Sequence, residues 1–181
     1  MLSISEAPIL TERLTLMPLR VEHAGALFDV LGDAALYQWI ARDPPASLEA
    51  LSARFLRIAQ RTSPERRDQW LNWTVWTRPD HAIGIVEATV SPDRSVLIAY
   101  MFSSSVWGQG FASEAVRATM NAMINAGAPC FDAVIDTRNA ASIALVRRLG
   151  YVLVETRASD DLIGGAPSEE QVWRFNVANI A

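Results

Sequence analysis

The stretch Val96 to Ala126, VLIAYMFSSSVWGQGFASEAVRATMNAMINA, decides the fold. Val96 to Phe102 is an unbroken apolar run, the pattern of a strand buried on both faces. Ala112, Val116, Met120 and Met123 then recur at helical spacing, with Glu114, Arg117, Asn121 and Asn125 on the opposite side. Gly127 and Pro129 stop that helix. Between strand and helix lies Trp107-Gly108-Gln109-Gly110-Phe111-Ala112. Two glycines let the backbone turn tightly and bring bare N–H groups to the helix start. Unsatisfied amides and the positive end of the helix dipole together suit a phosphate or pyrophosphate. Two glycines between a strand and a helix are often only a turn, so the loop needs its context. The G-x-G-x-x-G fingerprint fails at Ser113, and neither the phosphate loop G-x-x-x-x-G-K-[ST] nor the nucleophile elbow G-x-S-x-G is present.

Working outward, 181 residues predict one domain over 1–181, long enough to bury about two thirds of its unfolded surface. Half the residues are hydrophobic and 20% charged, an ordinary globular balance. Asp and Glu number 20 against 16 Lys and Arg, a net charge of −4. With no compact basic cluster, nucleic acid is not an expected partner. The single Cys130 leaves no internal disulfide, and it reads as a small buried hydrophobe. His23 and His81 lie far apart without ligands at metal spacing, so no metal is expected. The N-terminal MLSISEAPIL lacks a basic leader region and no apolar run reaches membrane-spanning length, which predicts a cytoplasmic protein without a membrane partner.

Taken in order, Thr11 to Leu19 alternates as a first strand and Val21 to Leu31 reads as a helix ending at Gly32. Ser47 caps a helix from Leu48 to about Gln60. Trp70 to Thr77 and Ala82 to Val90 are strands around an Arg78-Pro79-Asp80 turn. Phe131 to Asp136 is another strand, and Asn139 opens a helix with Arg147 and Arg148 in its last turn, ended by Gly150. Tyr151 to Glu155 follows as a strand, Ala158 to Ser168 as a loop, and Val172 to Val177 as the last strand. The order predicts an α+β fold with a mixed, mostly antiparallel sheet of six to seven strands flanked by helices.

Four segments in this order resemble the GNAT superfamily of acyl-CoA N-acyltransferases, and within it the ribosomal-protein alanine N-acetyltransferases. They are TERLTLMPL, AIGIVEATV, IAYMFSSSVWGQGFASEAVRA and DTRNAASIALVRRLGY. The resemblance implies two central strands that splay apart, with acetyl-CoA lying in the notch. It implies that the amides of Gly108, Gln109, Gly110, Phe111 and Ala112 hold the pyrophosphate, in agreement with the local physics. Met101 and Phe102 would offer main-chain groups to the pantetheine arm and thioester, and Asn139 would lie beside the pantetheine as well as capping its helix. The family pattern departs at Ser105, where an Arg or Gln is usual three residues before the first glycine. Gln109 is then the expected partial substitute.

The implied reaction is direct attack of an amine on a thioester, which needs no Ser–His–Asp or Cys–His group. It needs a neutral amine, a donor for the developing oxyanion and a proton for the thiolate. Many family members carry a Tyr four residues before the closing glycine; here Val146 stands there, and Ser142 is the candidate for the sulfur-side hydrogen bond. A strand carboxylate frequent in the superfamily is replaced by Leu97, leaving Glu87 in AIGIVEATV as the candidate base, with a solvated strand charge as its plain alternative. Glu114 reads as first-turn helix chemistry, and Asp160, Asp161, Glu169 and Glu170 as a charged loop near the acceptor side. The expected acceptor is a primary amine, either a protein N-terminus or a small molecule, and the chain is expected as monomer or homodimer. The rival expectation is a non-catalytic acyl-CoA-binding or regulatory module, favoured by the departures at Ser105, Val146 and Leu97.

Overall fold

A computed structural model describes residues 1–180. It contains one eight-stranded sheet in the order β1-β2-β3-β4-β5-β6-β8-β7. The strands are β1 (Ile9–Leu10), β2 (Leu14–Pro18), β3 (Gln69–Thr77), β4 (His81–Val90), β5 (Val96–Phe102), β6 (Cys130–Asp136), β7 (Val152–Ile163) and β8 (Ala166–Asn176). Four helices accompany them: α1 (Ala24–Gly32), α2 (Leu48–Ile58), α3 (Phe111–Asn125) and α4 (Ala140–Arg148). Every strand pair is antiparallel except β5–β6, which α3 bridges as the crossover a parallel pair requires.

The α+β reading therefore stands, with one strand more than the upper expected count. The strand expected over Thr11 to Leu19 is shorter, Leu14–Pro18, and it pairs with β1, which precedes the expected segment, across a turn in which Thr11 N–H donates to the Leu14 carbonyl at 3.0 Å. The helix expected from Val21 begins as a short 3-10 turn, Val21–His23, before α1. The largest revision falls at 158–168. Most of that segment is strand, and only Gly164 and Gly165 form the turn, with φ of 61° and 79°. Positive φ at both central residues is the two-residue hairpin geometry that matches strand twist. The run is polar because β7 is an edge strand with nearly every residue exposed, so no buried face imprints a period of two.

The sheet is covered on both sides. One core joins α3 and α4 to the sheet through Val116, Met120, Met123, Leu145, Val146 and strand residues including Ile98 and Phe102. The other joins α1 and α2 through Leu27, Leu31, Leu51 and Phe55 to Ile85 and Met101. Burying a side chain of this size contributes about 1.5–3 kcal/mol, so each helix is held by its apolar stripe. Alternate residues of β5 thus face opposite layers.

β5 is not buried throughout, as the unbroken run suggested: Leu97 is 44% exposed. The reason is topological. Seven residues of β5 are in register with β4, from Val96↔Val90 to Phe102↔Gly84, but only Val96 and Leu97 pair with β6. Beyond them the two strands part while β6 stays paired to β8. At the parting end Gly84 permits close approach: a Cβ there would lie 2.3 Å from the Met101 carbonyl oxygen. Cys130 at the start of β6 is half-buried rather than buried.

Candidate active site

The two glycines of the 107–112 loop adopt backbone that only glycine takes without strain, φ 75° at Gly108 and φ 80° at Gly110. Gly110 is the cap residue of α3 and offers no side chain to the helix amides. The first main-chain bond of the helix runs from Glu114 N to the Gly110 carbonyl at 3.1 Å. Among the described residues, no amide from Gly108 to Ala112 donates to another protein group. Five N–H groups, on an exposed loop at the positive end of a fifteen-residue helix, suit a diphosphate. The Gln109 side chain donates to the Ser105 carbonyl at 3.2 Å and braces the loop from within.

Beside this loop the parted strands open a cleft of ≈350 Å³. Glu87, Met101, Asn139 and Ser142 all line it. Asn139 caps α4 as expected, its Oδ1 accepting from Ser142 N at 3.1 Å. Phe102 and the glycine loop stand outside that lining, so the sequence-selected residues form two neighbouring groups.

Main-chain parity refines the role of β5. Ser103 N–H donates to the Ile83 carbonyl at 2.8 Å. By strand alternation Met101 also turns its main chain to β4, while Tyr100 and Phe102 turn theirs to the notch. Met101 therefore contributes a side chain, whose sulfur takes Arg42 Nη2 at 3.0 Å. The Phe102 carbonyl accepts the Trp107 indole N–H at 2.8 Å, which leaves its N–H on the notch side.

Glu87 lies opposite Ala99, on the α1–α2 face of the sheet. Arg54 of α2 donates to its Oε1 at 2.6 Å. The same side of the cleft receives Trp39, over whose ring the Arg138 guanidinium sits at 4.8 Å. Arg138 in turn holds both Asp136 oxygens at 2.8 Å, and its hydrogen bonds keep that carboxyl below the usual aspartate value. From the β7–β8 hairpin come Asp161 and Glu170, the latter held by Arg157 at 2.8 Å.

The opposite face supplies a residue the sequence did not mark. Tyr100 places its hydroxyl 3.5 Å from the Ser142 carbonyl oxygen, and burial pushes that hydroxyl up to about 12. Val146, at the usual tyrosine position, is 1% exposed and belongs to the core. Arg54, Trp39 and Tyr100 were missed because each reads as an ordinary helix, turn or strand residue. Only the folded sheet brings Trp39 and Tyr100 to the cleft, and Arg54 to the Glu87 that lines it.

A sequence model described as the acetyltransferase (GNAT) domain matches residues 13–152, and the chain belongs to that family. No curated protein matches it by sequence. Among solved structures it is similar to a probable GNAT-family acetyltransferase from Chromobacterium violaceum, at 22% identity and TM-score 0.82, covering 96% of this chain and 93% of that one. It is also similar to RimL, the ribosomal L7/L12 alpha-N-protein acetyltransferase in complex with coenzyme A, at 20% identity, TM-score 0.82, and 94% and 98% coverage. A third, from Salmonella typhimurium and described as modifying the N-terminal serine of L7/L12, is 18% identical with TM-score 0.80, covering 94% and 99%. At these identities the likeness is one of fold.

Proposed function

We propose that the protein moves an acetyl group from acetyl-CoA directly to a primary amine, either a protein N-terminus or a small molecule. The observation that carries this reading is the continuity of two surfaces. The Gly108–Ala112 loop, with its unspent amides, is tied to the end of β5 by the Trp107 indole on the Phe102 carbonyl. β5 parts from β6 beyond Leu97, and Glu87 lines the resulting cleft from the α1–α2 face of the sheet. A ligand held by its diphosphate on the α3 side would send its acyl end toward the parting of the strands. An amine would then enter between the 39–42 segment and the β7–β8 hairpin.

In this reading Gly108, Gln109, Gly110, Phe111 and Ala112 bind the pyrophosphate through their amides. Phe102 offers its N–H to the pantetheine arm, Met101 walls it with a side chain, and Asn139 borders it. Ser142 hydrogen-bonds the departing sulfur. Glu87 takes a proton from the incoming ammonium, directly or through water, so that the neutral amine attacks the thioester carbon and the thiolate leaves. RimL, whose structure contains coenzyme A, and the microcin C7 self-immunity acetyltransferase MccE, in complex with acetyl-CoA and AMP, are consistent with acyl-CoA use by this fold.

Two observations favour a second reading, an acyl-CoA-binding module without turnover: Val146 is core, and Arg54 already occupies one oxygen of Glu87. The test is acetyl-CoA-dependent thiol release over a panel of peptides and small amines. Acceptor-dependent release supports transfer, whereas tight coenzyme binding with no release over the whole panel supports the module.

A further inference from the structure

The N-terminal hairpin reaches across the sheet to the glycine loop, and one side chain makes the connection. Glu114, in the first turn of α3, accepts from Thr11 Oγ1 at 2.6 Å and from the Arg13 amide at 3.0 Å with one carboxylate oxygen. Its other oxygen takes Arg13 Nε at 2.7 Å and Nη2 at 2.6 Å. The remaining arm of that guanidinium, Nη1, donates to the Gln109 carbonyl at 3.0 Å. Its carbon lies 4.3 Å over the Phe111 ring. Arg13 thus grips a loop carbonyl, a helix carboxylate and a loop aromatic at once, the forked geometry that Lys cannot supply.

The grip on Gln109 has a directional consequence. In a planar trans peptide the carbonyl of one residue and the N–H of the next point opposite ways. Drawing the Gln109 oxygen toward Arg13 therefore turns the Gly110 N–H the opposite way, off the Arg13 side of the loop, where it has no protein acceptor. We infer that Arg13, locked by Glu114 and Thr11, is a positioning residue that pre-aims the Gly110 amide at the coenzyme diphosphate. The guanidinium acts through the peptide it holds and stands in for the Arg that the loop lacks at Ser105. This rests on the proposed use of acetyl-CoA.

The test compares a ligand that has the diphosphate with one that lacks it. Coenzyme A affinity is measured by calorimetry for wild type, Arg13→Ala and Arg13→Lys. KM is measured with acetyl-CoA and with acetyl-pantetheine in the presence of a responsive amine. Misaiming the Gly110 amide forfeits at most one charge-assisted amide–phosphate bond, so coenzyme binding should weaken by up to roughly ten- to a hundredfold. Arg13→Lys is expected between wild type and Arg13→Ala, with kcat at saturation and the KM for acetyl-pantetheine held within about threefold of wild type. If acetyl-CoA and acetyl-pantetheine suffer equally, Arg13 only supports the fold and the inference is overturned. Unchanged coenzyme affinity overturns it too, and if Arg13→Ala does not fold, Arg13→Lys carries the same comparison. A wild-type protein that binds coenzyme A in neither assay fails the proposed function itself, a result separable from a defect confined to the variants.

Discussion

Replacing Gly108 separates what the loop does for the fold from what it does for a ligand. A Cβ at Gly108 meets nothing within 4 Å, whereas one at Gly110 comes 3.5 Å from Arg13 Nη2. A carboxylate introduced at 110 has a cation ready to pair with it, so position 108 is the cleaner probe. Gly108→Ala places an L residue at φ 75°, which costs about 1–2 kcal/mol without steric conflict. Gly108→Glu carries the same backbone cost and adds a negative charge. At about 5 Å from a phosphate, a unit charge repels by roughly 3 kcal/mol at an effective dielectric of 20 and under 1 kcal/mol in bulk water. The loop is exposed, so the expectation lies between these limits, a several-fold to hundredfold loss beyond that of the Ala variant. Urea unfolding measures the shared backbone term, and calorimetry with coenzyme A at low and high salt measures the rest. The two variants should be equally stable, with the Glu variant weaker in binding by a margin that narrows in salt. If both are folded and bind equally at either ionic strength, no diphosphate rests near Gly108.

Further expectations concern the notch and its edges. Gly84→Ala sets a Cβ 2.3 Å from the Met101 carbonyl, about 1 Å inside ordinary contact, and should cost roughly 1–3 kcal/mol by urea midpoint; a change under about 0.5 kcal/mol would contradict the close β4–β5 approach. Ser142→Ala should lower kcat about tenfold with coenzyme affinity intact, and an unaltered rate removes Ser142 from the chemistry. Glu87→Gln should abolish most turnover while leaving coenzyme affinity intact; if Asp161→Asn does so instead, the base belongs to the β7–β8 hairpin. Burial alone would raise the Glu114 carboxyl, but hydrogen bonds from Thr11 and Arg13 outweigh it and hold it below 4.5. A depressed carboxyl stabilises the fold above its unfolded value and loses that contribution as pH falls through the folded one. Glu114→Gln should therefore be less stable than wild type at pH 7, with the gap closing below about pH 4.5; a gap independent of pH would assign it to packing.

The periodic elements were legible because their constraints are local. Ser47 and Asn139 announce their helices and accept the first-turn amides of Ala50 and Ser142. The apolar stripe of α3 and the bare amides before it follow from spacing and from two glycines. The hairpin at 152–176 was hidden because β7 buries no face, leaving only Gly164-Gly165 as a signal. In the cleft the sequence found groups that sit within motifs. It could not find Arg54 beside Glu87 or Tyr100 beside Ser142, since those pairs are separated by 33 and 42 residues. The Arg13–Glu114 pair was invisible for the same reason: TERL reads as the opening of a strand, and Glu114 as routine first-turn chemistry.

A crystal structure with bound coenzyme A tests the central claim most directly. The account predicts diphosphate oxygens within about 2.7–3.2 Å of amide nitrogens between Gly108 and Ala112, with the pantetheine passing into the gap beyond Leu97 and Asp132. Coenzyme bound elsewhere on the protein, with those amides facing only water, would contradict it.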